Sequence, residues 1–317
     1  MSAPKIMRQV KTMKTTIATK TNKYILAAVI SAVIVILLLA AVPQRAYAAE
    51  KKLTITWFAV GDGDCIYINT PNHHKILVDG GTYKQGTAVL GKLKKKKVKK
   101  LDYVISTHSH NDHADGLYKI TSEIPADAFV YNPYTSYVYR AEKNVSSRAI
   151  KLLNRFPEGH QAVSGEKIEF DDGVSIEFVS PPGRFYYSIN KNALAMLITY
   201  GKHKALLTSD RCKGSQNQLR KEKVDIMDAP HHGSADGMNR SLLKKHRPES
   251  IVISAQGKKR NHPSKKALSV IAKYDKKLRV YRTYKCGDVS ASVTENRDNW
   301  YFSKRGTPAG KAALQTK

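Results

Sequence analysis

Six consecutive residues, His108-Ser109-His110-Asn111-Asp112-His113, place three imidazoles and a carboxylate directly after the segment Leu101–Thr107. On an extended segment side chains two apart point the same way, so His108 and His110 can converge on one cation. Asp112 and His113 follow where the chain turns, and suit a second cation. The bland alternative is a polar loop, but four ligand-type side chains in so short a stretch weigh against it. Three further groups follow apolar runs: Asp79 after Ile76–Val78, Asp210 after Leu206–Ser209, and His231-His232 after Val224–Met227. Each alone reads as a turn or capped loop. Together they read as loops at one edge of a sheet scaffold, where a shared site forms.

The elements that must hold these groups are short. Leu53–Val60 alternates and is rich in β-formers, Gly61-Asp62-Gly63-Asp64 breaks it, and strands resume at Cys65–Asn69 and Lys75–Val78. Helical spacing covers Thr87–Lys97 and 141–156, and a helix or turn starts over Gly116–Ser122. A second β-rich half begins near Val163. It has a strand over Val174–Val179, a hairpin of Ala193–Tyr200 with Ala205–Thr208 across Gly201-Lys202, and strands at Val224–Met227 and Ile251–Ser254. A helix over Ser264–Tyr274 and strands near Leu278–Tyr281 and Val289–Val293 follow. The tail after Ser303 reads as frayed. Strands with interspersed helices, twice over, predict two sheets packed face to face with helices outside.

Charge divides the 317 residues unevenly. The whole chain carries 54 Lys+Arg against 26 Asp+Glu, a net of +28, and 41% apolar residues, which excludes a disordered tail or a fibre. The first 48 residues hold seven basic side chains and no acidic one, and Tyr24–Val42 is an uncharged run of 19. Ala46-Tyr47-Ala48 then supplies an A-x-A pattern. These are the parts of a signal peptide, cleaved after Ala48. A retained membrane anchor is the alternative, since the run is long enough to span a bilayer. Either way the segment enters the membrane at least transiently and the body lies outside, secreted or at the extracellular face. That body keeps 47 basic and 26 acidic residues, a net of +21. Such a surplus favours an anionic partner: nucleic acid, anionic lipid or cell-wall polymer. Seven lysines fall within Lys92–Lys100, read either as a solvated helix end or as a phosphate-attracting rim beside the metal strand. Cys65, Cys212 and Cys286 cannot build a disulfide framework.

The order Asp79-Gly80-Gly81, then Thr107-His-x-His-x-Asp-His-x-x-Gly116, then Asp210, then His231-His232-Gly233-Ser234 resembles the metallo-β-lactamase superfamily. Val60-Gly61-Asp62-Gly63-Asp64, Ala229-Pro230-His231-His232-Gly233-Ser234 and Asn261-His262-Pro263 are similar to its ComEC-type branch, the metallo-hydrolase domain of DNA-uptake proteins. The resemblance covers residues 53–293. It implies an α+β fold, a four-layer αββα sandwich over residues 49–303, between the leader at 1–48 and a flexible tail at 304–317. It also implies two divalent ions, Zn²⁺ or Mn²⁺. His108, His110 and Asp210 would hold one; Asp112, His113, His231 and the bridging Asp210 would hold the other. His231 is preferred to His232, which would support the site or touch substrate, as would Asp64. Asp79 would orient His108 or His110.

One departure stands out. Most of the superfamily has a further His ligand between Asp112 and Asp210; here Ser188-Ile189-Asn190-Lys191-Asn192 stands instead, and His203, placed in a hairpin turn, is a poor substitute. A site with fewer nitrogens would be weaker or harder in character, favouring Mn²⁺. Asp112 is read as catalytic; His262 is read as contacting the scissile phosphate or protonating the leaving group, with a packed structural histidine as the alternative, and Ser234 and Asn192 as touching the same phosphate. The expected activity is that of an exported dinuclear phosphodiesterase, a nuclease with DNA as its nucleic-acid substrate. A hydrolase of a smaller cell-surface phosphoester, or a metal-poor nucleic-acid-binding protein, are the alternatives.

Overall fold

The computed structural model describes residues 7–8, 11, 13–14, 21–34, 51–135, 145–180, 185–257 and 262–314. The chain divides into two units, Met1–Glu50 and Lys51–Lys317. In the first, residues 21–34 are helical and exposed. No described helix is long and apolar enough to cross a membrane. The rest of the apolar run and the A-x-A pattern lie outside the described residues.

The second unit is built by alternation. On β1 (Leu53–Trp57) the residues Leu53, Ile55 and Trp57 face inward, while Thr54 and Thr56 pair through their hydroxyls with Ser292 and Ser290 at 3.0 and 2.9 Å. The same period governs β2 (Ile66–Asn69), β3 (Lys75–Val78) and β4 (Leu101–Ser106), which continue the sheet to β5 (Ala126–Tyr131) and β6 (His160–Gln161). On its other side β1 pairs with β14 (Val289–Val293), which pairs with β15 (Tyr301–Phe302). The strands from β3 to β6 run parallel and the rest antiparallel.

A second eight-stranded sheet repeats that plan. β7 (Lys167–Glu169), β8 (Val174–Phe178), β9 (Met196–Tyr200) and β10 (His203–Leu207) form a meander. β10 then leads into parallel β11 (Ile226–Asp228), β12 (Ser250–Ile253) and β13 (Arg279–Arg282), with β16 (Thr307–Pro308) antiparallel at the edge.

Three apolar layers hold the two sheets and their helices. Between the sheets lie Ile55, Trp57, Ile76, Phe178, Met196, Leu207 and their neighbours. Outside the first sheet pack α1 (Tyr83–Lys95), α2 (Asn111–Ile120) and α3 (Ser147–Arg155) through Leu90, Leu93, Leu117 and Leu152. Outside the second pack α4 (Arg240–His246), α5 (Lys265–Tyr274) and α6 (Ala309–Leu314). The arrangement is the expected αββα sandwich.

Three local expectations change. α1 begins four residues earlier than the helical spacing suggests, because Thr82 caps it, accepting from Gln85 N at 3.5 Å. α3 starts at Ser147, after Ser146, whose side chain caps it by accepting from Arg148 N, and residues 136–144 lie outside those described. The tail is not frayed over 304–314: β16 pairs with β13, and α6 buries Ala309 and Ala312 beside α5. Small residues hid that helix, since alanine packs without a conspicuous apolar stripe.

The lysine run also finds its place. Lys92–Lys100 spans the end of α1 and the turn into β4, whereas the histidine cluster begins at the other end of that strand. Six residues of strand separate them, roughly 20 Å. Lys92, Lys94 and Lys100 pair with Asp288, Glu123 and Asp127. The run is a solvated helix end, not a rim of the metal site.

Candidate metal centre

Every predicted ligand sits at the edge where the parallel strands end. Asp79 ends β3, His108 follows β4, Asp210 follows β10, and His231 and His232 follow β11. Asp79, Ser209, His231 and His232 all have positive φ, between 47° and 55°. Such left-handed residues cost about 1–3 kcal/mol each and persist where surrounding structure enforces them. Here the enforcement is visible in the Asp79-Gly80-Gly81 turn, which is stitched to α2 by Gly80 N–His113 O and Gly116 N–Gly81 O bonds, both 2.8 Å. That approach requires glycine: a Cβ on Gly116 would lie 1.8 Å from Gly80 O.

Two groups of ligand atoms emerge, sharing Asp210. The first is His108, His110 and Asp210; the second is Asp64, His113, Asp210 and His232. Within the second, Asp210 Oδ1 lies 3.4 Å from His113 Nε2 and 3.3 Å from His232 Nε2. In the first, His108 Nε2 is 3.7 Å from Asp210 Oδ2 and 3.2 Å from His110 Nδ1.

The fit to cations rests on unpaired atoms. His113 Nε2, Asp210 Oδ1 and both ring nitrogens of His232 are buried without a hydrogen-bond partner. Unsatisfied buried polar atoms are rare and costly, and here His113 Nε2, His232 Nε2 and Asp210 Oδ1 lie together. A divalent ion would satisfy those three, while His232 Nδ1 points to the other side, 3.9 Å from Asp64 Oδ1. Asn190 Oδ1 is likewise buried and unpartnered, at the cavity where the sequence lacks the superfamily's further histidine.

Electrostatics carry the same signature. Burial raises the Asp64 carboxyl. Burial would raise Asp210 too, but His232 and His113 outweigh it and hold its carboxyl well below the usual range. Burial would lower His113, yet Asp210 and Asp79 push it well up. Burial and the nearby His113 hold His108 well below an ordinary imidazole.

Several side chains take roles other than those the sequence suggested. His232, rather than His231, stands in the buried ligand group. His231 Nδ1 is drawn outward to Cys212 Sγ at 3.4 Å and Asp236 Oδ1 at 3.5 Å, leaving Nε2 3.8 Å from Asp210 Oδ2. Asp64 joins the ligand group itself. Asp112 lines the cavity, its Oδ2 4.0 Å from His232 Nε2. Asp79 backs His113, not His108 or His110: its Oδ2 accepts from His113 Nδ1 at 2.8 Å and from Thr107 Oγ1 at 2.6 Å. The reason is helical, since α2 turns His113 back over the end of β3.

Asn192 and Ser234 are occupied by structure rather than facing the cavity. Asn192 donates to Tyr186 O and Ser188 O and accepts from Tyr186 N. Ser234 donates to Asp236 and accepts from Gly237 N. His203 opens β10 rather than the turn and bonds Arg297 O at 2.8 Å, far along the strand from Asp210.

Two residues went unnoticed in the sequence. Asp62 lines the cavity, its Oδ1 accepting from Gln256 N at 2.8 Å and lying 3.9 Å from His262 Nδ1. Asp228, at the end of β11, is buried behind the centre and accepts from Thr208 N and Oγ1. Burial and then Asp64 push its carboxyl well up. Both end or follow strands, the same signal that revealed Asp79 and Asp210.

The ligand groups open into a cavity of about 360 Å³, with His262 and Asn190 at its walls. A four-layer αββα sandwich with a His/Asp metal site at one strand edge defines the class, and the chain belongs to the metallo-beta-lactamase superfamily, whose family model matches residues 59–257. Among curated proteins it is 26% identical over 258 residues to ComE operon protein 3 of Bacillus subtilis (strain 168), covering 73% of this chain and 32% of that one. It is 23% identical over 211 residues to Competence protein ComA of Neisseria gonorrhoeae, covering 65% and 27%. The chain thus spans about a third or less of these ComEC-type relatives. Among solved structures it is similar to the metallo-beta-lactamase fold protein YhfI from Bacillus subtilis, at 15% identity and a TM-score of 0.46, over 69% of this chain and 93% of that one.

Proposed function

We propose that this chain is a metal-dependent phosphodiesterase that cuts DNA outside the cell membrane. The carrying observation is the pair of ligand groups that share Asp210, the second of which holds unpaired buried ligand atoms. His108, His110 and Asp210, with Asn190 Oδ1 nearby, would hold one ion; Asp64, His113, Asp210 and His232 would hold the other. The mixture of imidazole with carboxylate and amide oxygen suits Mn²⁺ as well as Zn²⁺. When bound, such a pair lowers the pKa of a water and neutralises charge on phosphoryl oxygens.

The protein's own groups orient and exclude. Asp79 fixes the ring of His113 through Nδ1 and so presents Nε2 to the centre. His262, at the wall, is held below the ordinary imidazole range by burial and then by His232. That direction favours a ring that offers an N–H to a phosphate oxygen over one that gives a proton to the leaving group. The +21 body supports a polyanionic substrate, one relative is a competence protein by name, and the basic leader with its apolar run supports export.

The test is cleavage of single- and double-stranded DNA by the purified chain with added Mn²⁺ or Zn²⁺, and its loss in Asp210→Ala. Intact DNA under both metals overturns the reading. The modest cavity favours one second reading, a smaller cell-surface phosphoester; cleavage of a chromogenic diester without DNA cleavage would select it.

A further inference from the structure

Beside the metal centre the protein displays an aromatic cluster that nothing in the ligand chemistry requires. Tyr134 and Phe185 meet at 5.3 Å between ring centroids, and Phe185 meets Tyr187 at 5.4 Å with their planes 76° apart. Phe185 therefore supports Tyr187 edge to face, leaving tyrosine ring surface open to solvent. Tyr187 is 89% exposed, the highest value among the exposed large hydrophobics of the described residues. Burying such a ring would be favourable, and no neighbour among the described residues does so.

The cluster is tied to the catalytic strand. Asn132 Nδ2 donates both to Thr107 O, the residue before His108, and to Asn192 O, each at 2.8 Å. Asn132 Oδ1 accepts from Tyr134 N at 2.9 Å. Asn192 in turn holds the Tyr186 backbone from both sides. Two buried asparagines thus fix the aromatic loop against the strand end that carries the histidines. Three residues beyond Tyr187, Asn190 lines the metal cavity, and Lys191 lies beside the Tyr186 ring at 6.0 Å.

We propose that Tyr187, braced by Phe185, is a stacking platform for an unpaired nucleobase, which places a single-stranded nucleic acid in the adjoining metal cavity. A base has a flat π-face, so an open tyrosine ring binds it without sequence preference. A duplex keeps its bases stacked on each other, so only a single strand or a frayed end presents one. The Lys191 ammonium supplies charge complementarity for the neighbouring phosphate. This inference deepens the nuclease reading and rests on it for the substrate class.

The experiment measures binding of fluorescein-labelled dT oligomer by anisotropy in EDTA, where no strand is cut, with an abasic oligomer of equal length as control. Tyr187→Ala should weaken dT binding ~5- to 150-fold, the range for one lost base stack. It should leave abasic binding unchanged, and Tyr187→Trp should restore the difference. Unchanged dT affinity in Tyr187→Ala, or an equal loss on the abasic strand, overturns the platform. Cleavage is scored separately. Base-dependent binding by a protein that cuts no DNA with Mn²⁺ or Zn²⁺ would overturn the nuclease and keep the platform.

Discussion

Substituting Asp79 by Asn tests how the metal centre is held, because the change is isosteric and the residue touches no substrate cavity. The Asp79 carboxylate receives three donors: Thr107 N at 2.9 Å on Oδ1, and Thr107 Oγ1 and His113 Nδ1 at 2.6 and 2.8 Å on Oδ2. An asparagine has one acceptor oxygen. If that oxygen keeps Thr107 N, the amide NH₂ faces His113 Nδ1, and two donors oppose each other. His113 then escapes only by moving its proton to Nε2, the atom that faces Asp210. An Nε2 that carries a proton cannot ligate. Losing such a supporting partner typically costs ~10- to 100-fold in metal affinity, about 1.4–2.8 kcal/mol. Titration with Mn²⁺ or Zn²⁺ by calorimetry should show that drop for the second ligand group, with the far-UV spectrum unchanged. A folded Asp79→Asn protein binding both ions with wild-type affinity would refute the argument.

Other outcomes follow from the same geometry. His232→Ala should lose one bound ion by mass-spectrometric metal analysis, while His231→Ala, whose ring leans to Cys212 and Asp236, should retain both. Gly116→Ala drives a Cβ into Gly80 O and disrupts the two backbone bonds of the turn, so thermal denaturation should show a loss of about 2–5 kcal/mol. His74 joins the β2–β3 turn to the β7–β8 turn through Asp171 at 2.8 Å, and that bond, ahead of Asp102, raises its pKa. Its stabilising effect is therefore complete below the ordinary histidine value of about 6.5 and is lost as pH rises through the raised one. Wild-type Tm should fall more between about pH 6 and pH 8 than that of His74→Gln; equal slopes would count against the pair.

The site was legible where chemistry and strand ends coincide. His108, His110, His113 and Asp210 could be read from residue type and position, because period-two strands must deliver their successors to a common edge. The choice between His231 and His232 could not. Two adjacent histidines with positive φ point in directions that residue type does not set; the His231 ring is drawn to Cys212 and Asp236, contacts made only in the folded chain. Asp79 was legible as a supporting group but not its partner, since that depends on how α2 folds back over β3. The lysine run stayed open between two readings for the opposite reason: adjacency to β4 in sequence said nothing about which end of the strand it meets.

Leu53 of β1 pairs with Val293 of β14, so the first strand of the domain finds one of its two neighbours only after almost the whole chain exists. Until then β1 has an open edge, the kind of edge that recruits other chains. Long-range pairing of this sort also makes folding slow. Synthesis and assembly therefore run on different clocks: a chain cut short before β14 keeps all its metal-ligating residues yet leaves the sheet that carries most of them unclosed, ready to aggregate rather than to bind an ion.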